Sequence, residues 1–141
     1  MPISFPVARS TILLCDYSTG FREPEMVKRR PVVVVSHRLP HRDHLCTVVP
    51  LSTMPPSVPG LLYIHELHLS QPLPEPFEKP VMWVKADMLA TVSFARLDMF
   101  RTGRDQTGKR KYLQPKVPAA DMAAIERCVC AALGIALTPL S

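Results

Sequence analysis

A mainly β (α+β) protein is the fold this chain predicts: a small twisted barrel of short strands with one helix packed on it at the C-terminal end. Three observations carry that expectation. Proline takes 16 of 141 positions, against about 5% in average usage. Proline breaks helices but suits turns and strand edges. Short runs rich in β-formers alternate with polar or proline-rich connections. Helical periodicity is convincing in one place only, near the C-terminus. The length suits a single domain over residues 1–141. An apolar content of 47% excludes a chain too polar to build a core.

The elements follow in order. Residues 1–10 (MPISFPVARS) are expected to form a loose arm. Residues 11–17 (TILLCDY) form a first strand, and a polar loop with Gly20 and Pro24 follows it. Residues 31–37 (PVVVVSH) read as a fully buried strand, with Pro31 at the start, where a missing N–H does little harm. Residues 45–52 (LCTVVPLS) form a third strand and 61–69 (LLYIHELHL) a fourth, each preceded by a turn-rich stretch. A second proline-rich loop leads to a strand at 81–87 (VMWVKAD); LATV adds one more, and Ser93 is placed to cap a short turn through residue 97. Residues 99–117 read as a hairpin, MFRTG meeting KYLQPKV around a polar turn. Residues 118–134 form the helix: Met122, Ile125, Val129 and Leu133 share one face, and Gly134 suits its C-terminal stop.

Composition narrows the function. No run approaches the ~18 apolar residues of a membrane span. Ile12 to Cys15 is too short for the core of a secretion signal, so the expectation is a cytoplasmic protein without membrane contact. The net charge of +5 is uneven: +3 over residues 1–45, −2 over 46–95, +5 over 96–116 and −1 beyond. If the fold unites the two basic segments, they form a face suited to phosphates. Read alone, the same charges are equally a scatter of solvated side chains. Cysteines 15, 46, 128 and 130 include no C-x-x-C pair. Cys128 and Cys130 point about 200° apart on a helix, so reduced thiols are expected, with no metal and no cofactor. His41 and His44 have a ligand-like spacing, but Arg38 and Arg42 interleave and no cysteine lies at ligand distance.

Two blocks carry chemistry. Glu25-Met-Val-Lys-Arg-Arg30 leads straight into the valine strand, which sets Arg30 at a rigid strand edge. Val48-Val49-Pro50-Leu51 exits into two hydroxyl residues, Ser52 and Thr53. If the two strands pair, Arg30 and Ser52 meet at one end of the sheet and make a small phosphate site. The bland reading is a surface ion pair of Arg30 and Glu25 at a strand start. His37, ending the valine strand, has the pKa range of an acid–base group. Lys109-Arg110-Lys111-Tyr112 either tracks RNA, with Tyr112 stacking on a base, or is a solvated hairpin edge. Trp83, alone in an apolar strand, is expected in the core.

The run ILLCDY…PEMVKRRPVVVVS…CTVVPLST, followed by VKADMLATVSFARL, resembles the PemK/MazF-like toxins of bacterial toxin–antitoxin pairs. The pieces occur in the family's order over roughly residues 10–134. Ser10-Thr11 stands where the family usually has Gly-Asp, and residues 54–80 are richer in proline than the family pattern. The resemblance implies an SH3-like barrel (CcdB/PemK-like), usually a homodimer, that cleaves single-stranded RNA without a metal. A cognate antitoxin, which gives the complex its DNA binding, would cover the same groove. By position, Arg30 matches the catalytic arginine, Ser52 the catalytic hydroxyl (with Thr53 its rival) and Glu25 the acidic partner, which either holds Arg30 or accepts a proton. Lys28 and Arg29 join Lys109, Arg110, Lys111 and Tyr112 as expected RNA contacts. Two other uses of such a chain are a CcdB-like barrel that poisons a protein target such as a topoisomerase, and a housekeeping RNA- or protein-binding domain.

Replacing Lys109 and Arg110 together with alanine should weaken RNA binding and flatten its salt dependence. Affinities measured across a salt series check this, and an unchanged slope takes the hairpin out of the RNA path.

Overall fold

The structure is a computed structural model, and it describes residues 2–104 and 106–136, without the side chains of Arg104 and Arg110. Nine strands and one α-helix are found among these residues: β1 Ile12–Asp16, β2 Arg29–Val34, β3 Leu45–Ser52, β4 Ile64–His68, β5 Val81–Lys85, β6 Ala90–Ser93, β7 Leu97–Asp98, β8 Phe100–Arg104, β9 Arg110–Leu113 and α1 Ala119–Leu133. The mainly β class with a C-terminal helix is as the sequence predicts. Seven strands form one sheet in the order β4-β5-β3-β2-β1-β7, with β6 also paired to β3. β8 and β9 form a separate hairpin.

The valine strand is the centre. β2 pairs antiparallel with β1 (Val33 opposite Ile12) and with β3 (Val33 opposite Val49). Alternate side chains enter two different cores. Val33, Ile12, Val49 and Leu51 pack with Leu67, Met82, Val84, Met122 and Ile125 on one face. Val32, Val34, Leu13 and Val48 pack with Val92, Phe94 and Leu97 on the other. Burial on both faces is why the strand is a continuous apolar run rather than an alternating one.

The second face is closed by the segment 90–98. β6 pairs with Leu45 to Val48 of β3, and β7 pairs with Leu14 and Cys15 of β1. Between them lies a 3-10 turn, Phe94–Arg96, capped by Ser93, whose hydroxyl accepts from the Ala95 amide at 3.1 Å. One stretch of chain thus bridges both edges of the β1–β2–β3 sheet, although the ring of hydrogen bonds is not unbroken. β3 changes partner along its length, from β6 at Val48 to β5 at Leu51. Pro50, which lacks an N–H, sits between the two.

Three expectations are corrected. The arm is docked rather than loose. Ile3 is buried and its amide donates to the Leu97 carbonyl at 2.8 Å, while the Arg9 Nε donates to the Val35 carbonyl at 3.0 Å and its guanidinium pairs with Glu126. The helix buries Met122, Ile125 and Cys128, whereas Leu133 is 60% exposed. Val129 packs against the same core as Met122 and Ile125, so the expected face holds except at Leu133, and Cys128 is buried beside it. β4 starts at Ile64, because Leu61 to Tyr63 form a turn. Gly134 ends the helix as expected, at φ 72°, with the Ile135 amide donating to the Cys130 carbonyl at 2.8 Å.

The second proline-rich loop is part of the core. Leu73 is 2% exposed and Phe77 packs against the same cluster. Leu73→Ala should therefore cost about 2–5 kcal/mol, read from urea denaturation. A loss typical of an exposed site would mean that the loop is merely laid on the surface.

Candidate active site

Arg29 and Arg30 open β2, opposite Asp16 and Cys15 of β1. Strand alternation sends them to different sides. Arg29 follows the parity of Val33 and reaches across β1 to Asp98, Nη2 to Oδ2 3.4 Å. Arg30 follows Val32 and Val34. It lines an open cavity with Glu23, Pro24, Glu25, Met26, Val27 and Lys28. Its Nε is buried and has no hydrogen-bond partner among the described residues. A buried donor left in that state costs about 1–3 kcal/mol, so the position favours an arriving anionic acceptor. Glu25 is exposed on the same cavity, and no ion pair joins it to Arg30 among the described residues.

Ser52 ends β3. The β2–β3 register runs Val34 opposite Val48, Val33 opposite Val49 and Val32 opposite Pro50. The ladder ends there, and strand alternation gives Arg30 the parity of Val32 and Ser52 that of Pro50, the partner of Val32. The Ser52 side chain is largely buried, and its Oγ accepts from the Met54 amide at 3.1 Å. Among the described residues its own proton has only the Met54 carbonyl at 3.4 Å, beyond the ordinary reach of an O–H···O bond. The hydroxyl is thus fixed as an acceptor and available as a donor. Thr53 is half-buried beside it.

The loop that carries Glu25 and Lys28 is fastened at its root by Arg96. Its Nη1 donates to the carbonyls of Asp16 at 3.0 Å and Thr19 at 2.8 Å. The guanidinium lies 4.8 Å from the Phe21 ring centroid, and Phe21 meets Tyr17 edge-on. Gly20 has φ +82°, and a Cβ there would stand 3.0 Å from Arg96 Nη2. Two hydrogen bonds from Ser18, through its hydroxyl and its amide, hold the Asp16 carboxyl below its ordinary value. Burial pushes the Cys15 thiol up to about 11, which fits an inert packing role. Sequence reasoning missed Arg96 as a support for the site. Its signal was the Arg-Leu that closes the last motif.

The two basic segments meet at Arg29, not at Arg30. Arg29 and Arg101, at the base of the β8–β9 hairpin, line one cavity with Asp98 and Phe77. Lys109 is exposed on the hairpin turn, and Lys111 and Tyr112 are exposed on β9. The Arg110 side chain lies outside the described residues. His37 is elsewhere: it lies beyond the far end of β2, seven residues from Arg30, which is about 20 Å along an extended chain. It lines a cavity with Arg38, Arg42, His44 and Phe94. His37 and His44 share that cavity, whereas His65 and His68 lie on β4. His65 contacts Asp121 at 2.8 Å and His68 contacts Glu66 at 3.1 Å. No group of three or more metal-ligating side chains occurs among the described residues. Nor is any helix there long and apolar enough to cross a membrane. Trp83 is not in the core as expected: it is half-buried on β5, directly opposite Ser52.

Comparison with known proteins gives the same outline. Residues 8–133 match a family described as the PemK-like, MazF-like toxin of type II toxin–antitoxin systems. The uncharacterized protein YifN of Escherichia coli (strain K12) is 31% identical over 128 residues, covering 89% of this chain and 80% of YifN. A mycobacterial endoribonuclease solved in complex with its cognate antitoxin aligns over 94% of this chain and all of its own, at 21% identity and a TM-score of 0.61. The Mycobacterium tuberculosis toxin MazF-mt6 aligns over 90% of this chain and 99% of its own, at 18% identity and a TM-score of 0.55. At these identities the solved structures are alike in fold.

Arg96→Ala should lower stability by about 1–3 kcal/mol, the range for hydrogen bonds from a charged donor. Urea denaturation reads that loss. Protease cleavage within residues 18–28 should rise at the same time, and unchanged cleavage would show that the loop holds without Arg96.

Proposed function

The chain belongs to the PemK-like, MazF-like toxins of type II toxin–antitoxin systems, and we propose that it acts as a metal-independent endoribonuclease on single-stranded RNA. The observation that carries this reading is the buried Nε of Arg30, unpartnered among the described residues, on the sheet face it shares with Ser52. RNA supplies its own nucleophile. The 2′-oxygen attacks the adjacent phosphorus and loses its proton, the bond from phosphorus to the 5′-oxygen breaks, and that oxygen takes up a proton. The products are a 2′,3′-cyclic phosphate and a 5′-OH.

Each residue has a role that its surroundings support. Arg30 offers a planar set of donors to the phosphate, and these count most as charge builds up on the phosphorane. Ser52 turns its loosely held proton to a phosphoryl oxygen. Glu25 has no partner in Arg30, which supports proton acceptance from the 2′-OH over a positioning role. Solvent supplies the proton to the 5′-oxygen. The distance of His37 supports leaving it out of proton transfer and treating it as an outlying contact. Arg29, Lys28, Lys109, Arg110, Lys111 and Tyr112 guide the strand toward the site through charge and stacking. In this reading the protein works as a cytoplasmic homodimer. The mycobacterial relative solved with its cognate antitoxin supports an antitoxin partner that covers the basic groove and brings the complex to DNA.

Purified protein incubated with a long single-stranded RNA in excess EDTA should cut at a recurrent short sequence and leave 5′-OH ends. Arg30→Ala and Ser52→Ala should each lower kcat about 100-fold or more, the scale for losing one donor to a developing oxyanion, with the thermal transition unchanged. Thr53→Ala should stay near normal; the reverse pattern moves the hydroxyl role to Thr53. No cleavage across several RNAs would turn the assignment to a barrel toxin aimed at a protein.

A further inference from the structure

We propose that Trp83 is the platform on which a base beside the cleaved phosphate stacks, which makes it a specificity-determining residue of this site. The inference rests on the ribonuclease reading above. Its first support is position. Ser52 is paired directly opposite Trp83, and Trp83 directly opposite Glu66. Residues opposite one another in antiparallel strands project from the same face. Trp83 therefore shares the face of Ser52 and, by strand alternation, that of Arg30. Neighbouring strands lie about 4.8 Å apart, so the ring is one strand from Ser52 and two from Arg30.

The second support is what Trp83 does not do for the fold. Its neighbours along β5, Met82 and Val84, both enter the core with Leu51 and Leu67. Trp83 belongs to neither core cluster and stays half-buried on the outward side. Such a large apolar ring is ordinarily spent on packing. Among the described residues, none stacks on it, none places a cation over it, and none accepts a hydrogen bond from its indole N–H.

The third support is charge. Glu66, on the far side of the ring, is exposed and acidic, whereas the near side leads to Arg30. A nucleotide is polarised in the same way, with an anionic phosphate and a neutral aromatic base. Lying phosphate toward Arg30 and base over Trp83, it avoids the carboxylate and meets both complementary surfaces. Proteins that read single-stranded RNA hold splayed bases on aromatic side chains in this manner. The division of labour is simple: Arg30 and Ser52 grip a phosphate that every nucleotide has, and Trp83 grips the part that differs.

The chain has one tryptophan, so its intrinsic fluorescence reports this ring alone. The probe is an RNA oligonucleotide of the cleaved sequence with a 2′-deoxy nucleotide at the cut, which removes the nucleophile. Titrated into the full chain, it should quench the fluorescence saturably, and an abasic residue beside the cut should abolish most of the change. Trp83→Leu should bind the probe about tenfold or more weakly, the scale for losing one base stack. It should also relax the cleavage preference at one position, while Trp83→Phe recovers most of the affinity. Should the leucine variant fail to fold, the phenylalanine variant with the abasic probe still tests the stack. The proposal is overturned if the wild type cleaves RNA but saturating probe leaves the fluorescence unmoved, or if Trp83→Leu cuts the same sequence at the same rate. It is also overturned by a fluorescence change on dilution without RNA, which would assign the ring to self-association. If the wild type neither cleaves nor binds any RNA, the ribonuclease reading fails and the platform fails with it.

Discussion

Burial of β2 on both of its faces is the constraint from which the rest of the molecule follows. A strand of valines between two strands satisfies its backbone through β1 and β3, but its side chains need a cover above and below. One cover is built from β4, β5, the helix and the proline-rich loop around Leu73. The other is built from the docked arm and from the segment carrying Val92, Phe94 and Leu97. With both faces sealed, polar chemistry on β2 is confined to its ends. Its first two residues are arginines, one turned to each side. Arg29 meets a carboxylate across β1, and Arg30 is left with a buried donor and no acceptor among the described residues.

A site built this way gains precision from the core rather than from the loops. Arg30 is followed by the buried Pro31 and Ser52 is preceded by the buried Leu51, so their backbones cannot drift without disturbing the packing. The loop with Glu25 is held from outside the strands: Phe21 and Met26 pack against the second core, and Arg96 ties the loop root to the 3-10 turn between β6 and β7. The element that covers the second face of the sheet thus also steadies one wall of the cleft. It explains why an Arg-Leu pair far along the sequence belongs to the same pattern as the Arg-Pro at β2.

Much of this was legible in the residues. The four-valine run and the glycine after the helix are local signals, and each held because local geometry decides it. What was not legible depends on long-range covering. Nothing in MPISFPVARS announces that Ile3 and Arg9 will find partners near residues 97 and 126. Leu133 obeys the helical period yet is exposed, because the period fixes which residues share a face and not which of them are covered. Trp83 looks like core by composition. Only the pairing of β5 with β3 turns it outward, and pairing partners are not written in either strand alone.

The return of the last third of the chain to the first strand has a consequence for biosynthesis. Lys116 donates to the Thr11 hydroxyl at 2.6 Å, 105 residues away, and the Ile12 amide donates to the Pro115 carbonyl at 2.9 Å. Those groups have no native partners while the ribosome is still translating the hairpin, and at about 5–20 residues per second that interval lasts several seconds. Contacts of such separation also slow the final collapse. The first strand therefore gains these two partners only after residues 115 and 116 have been translated.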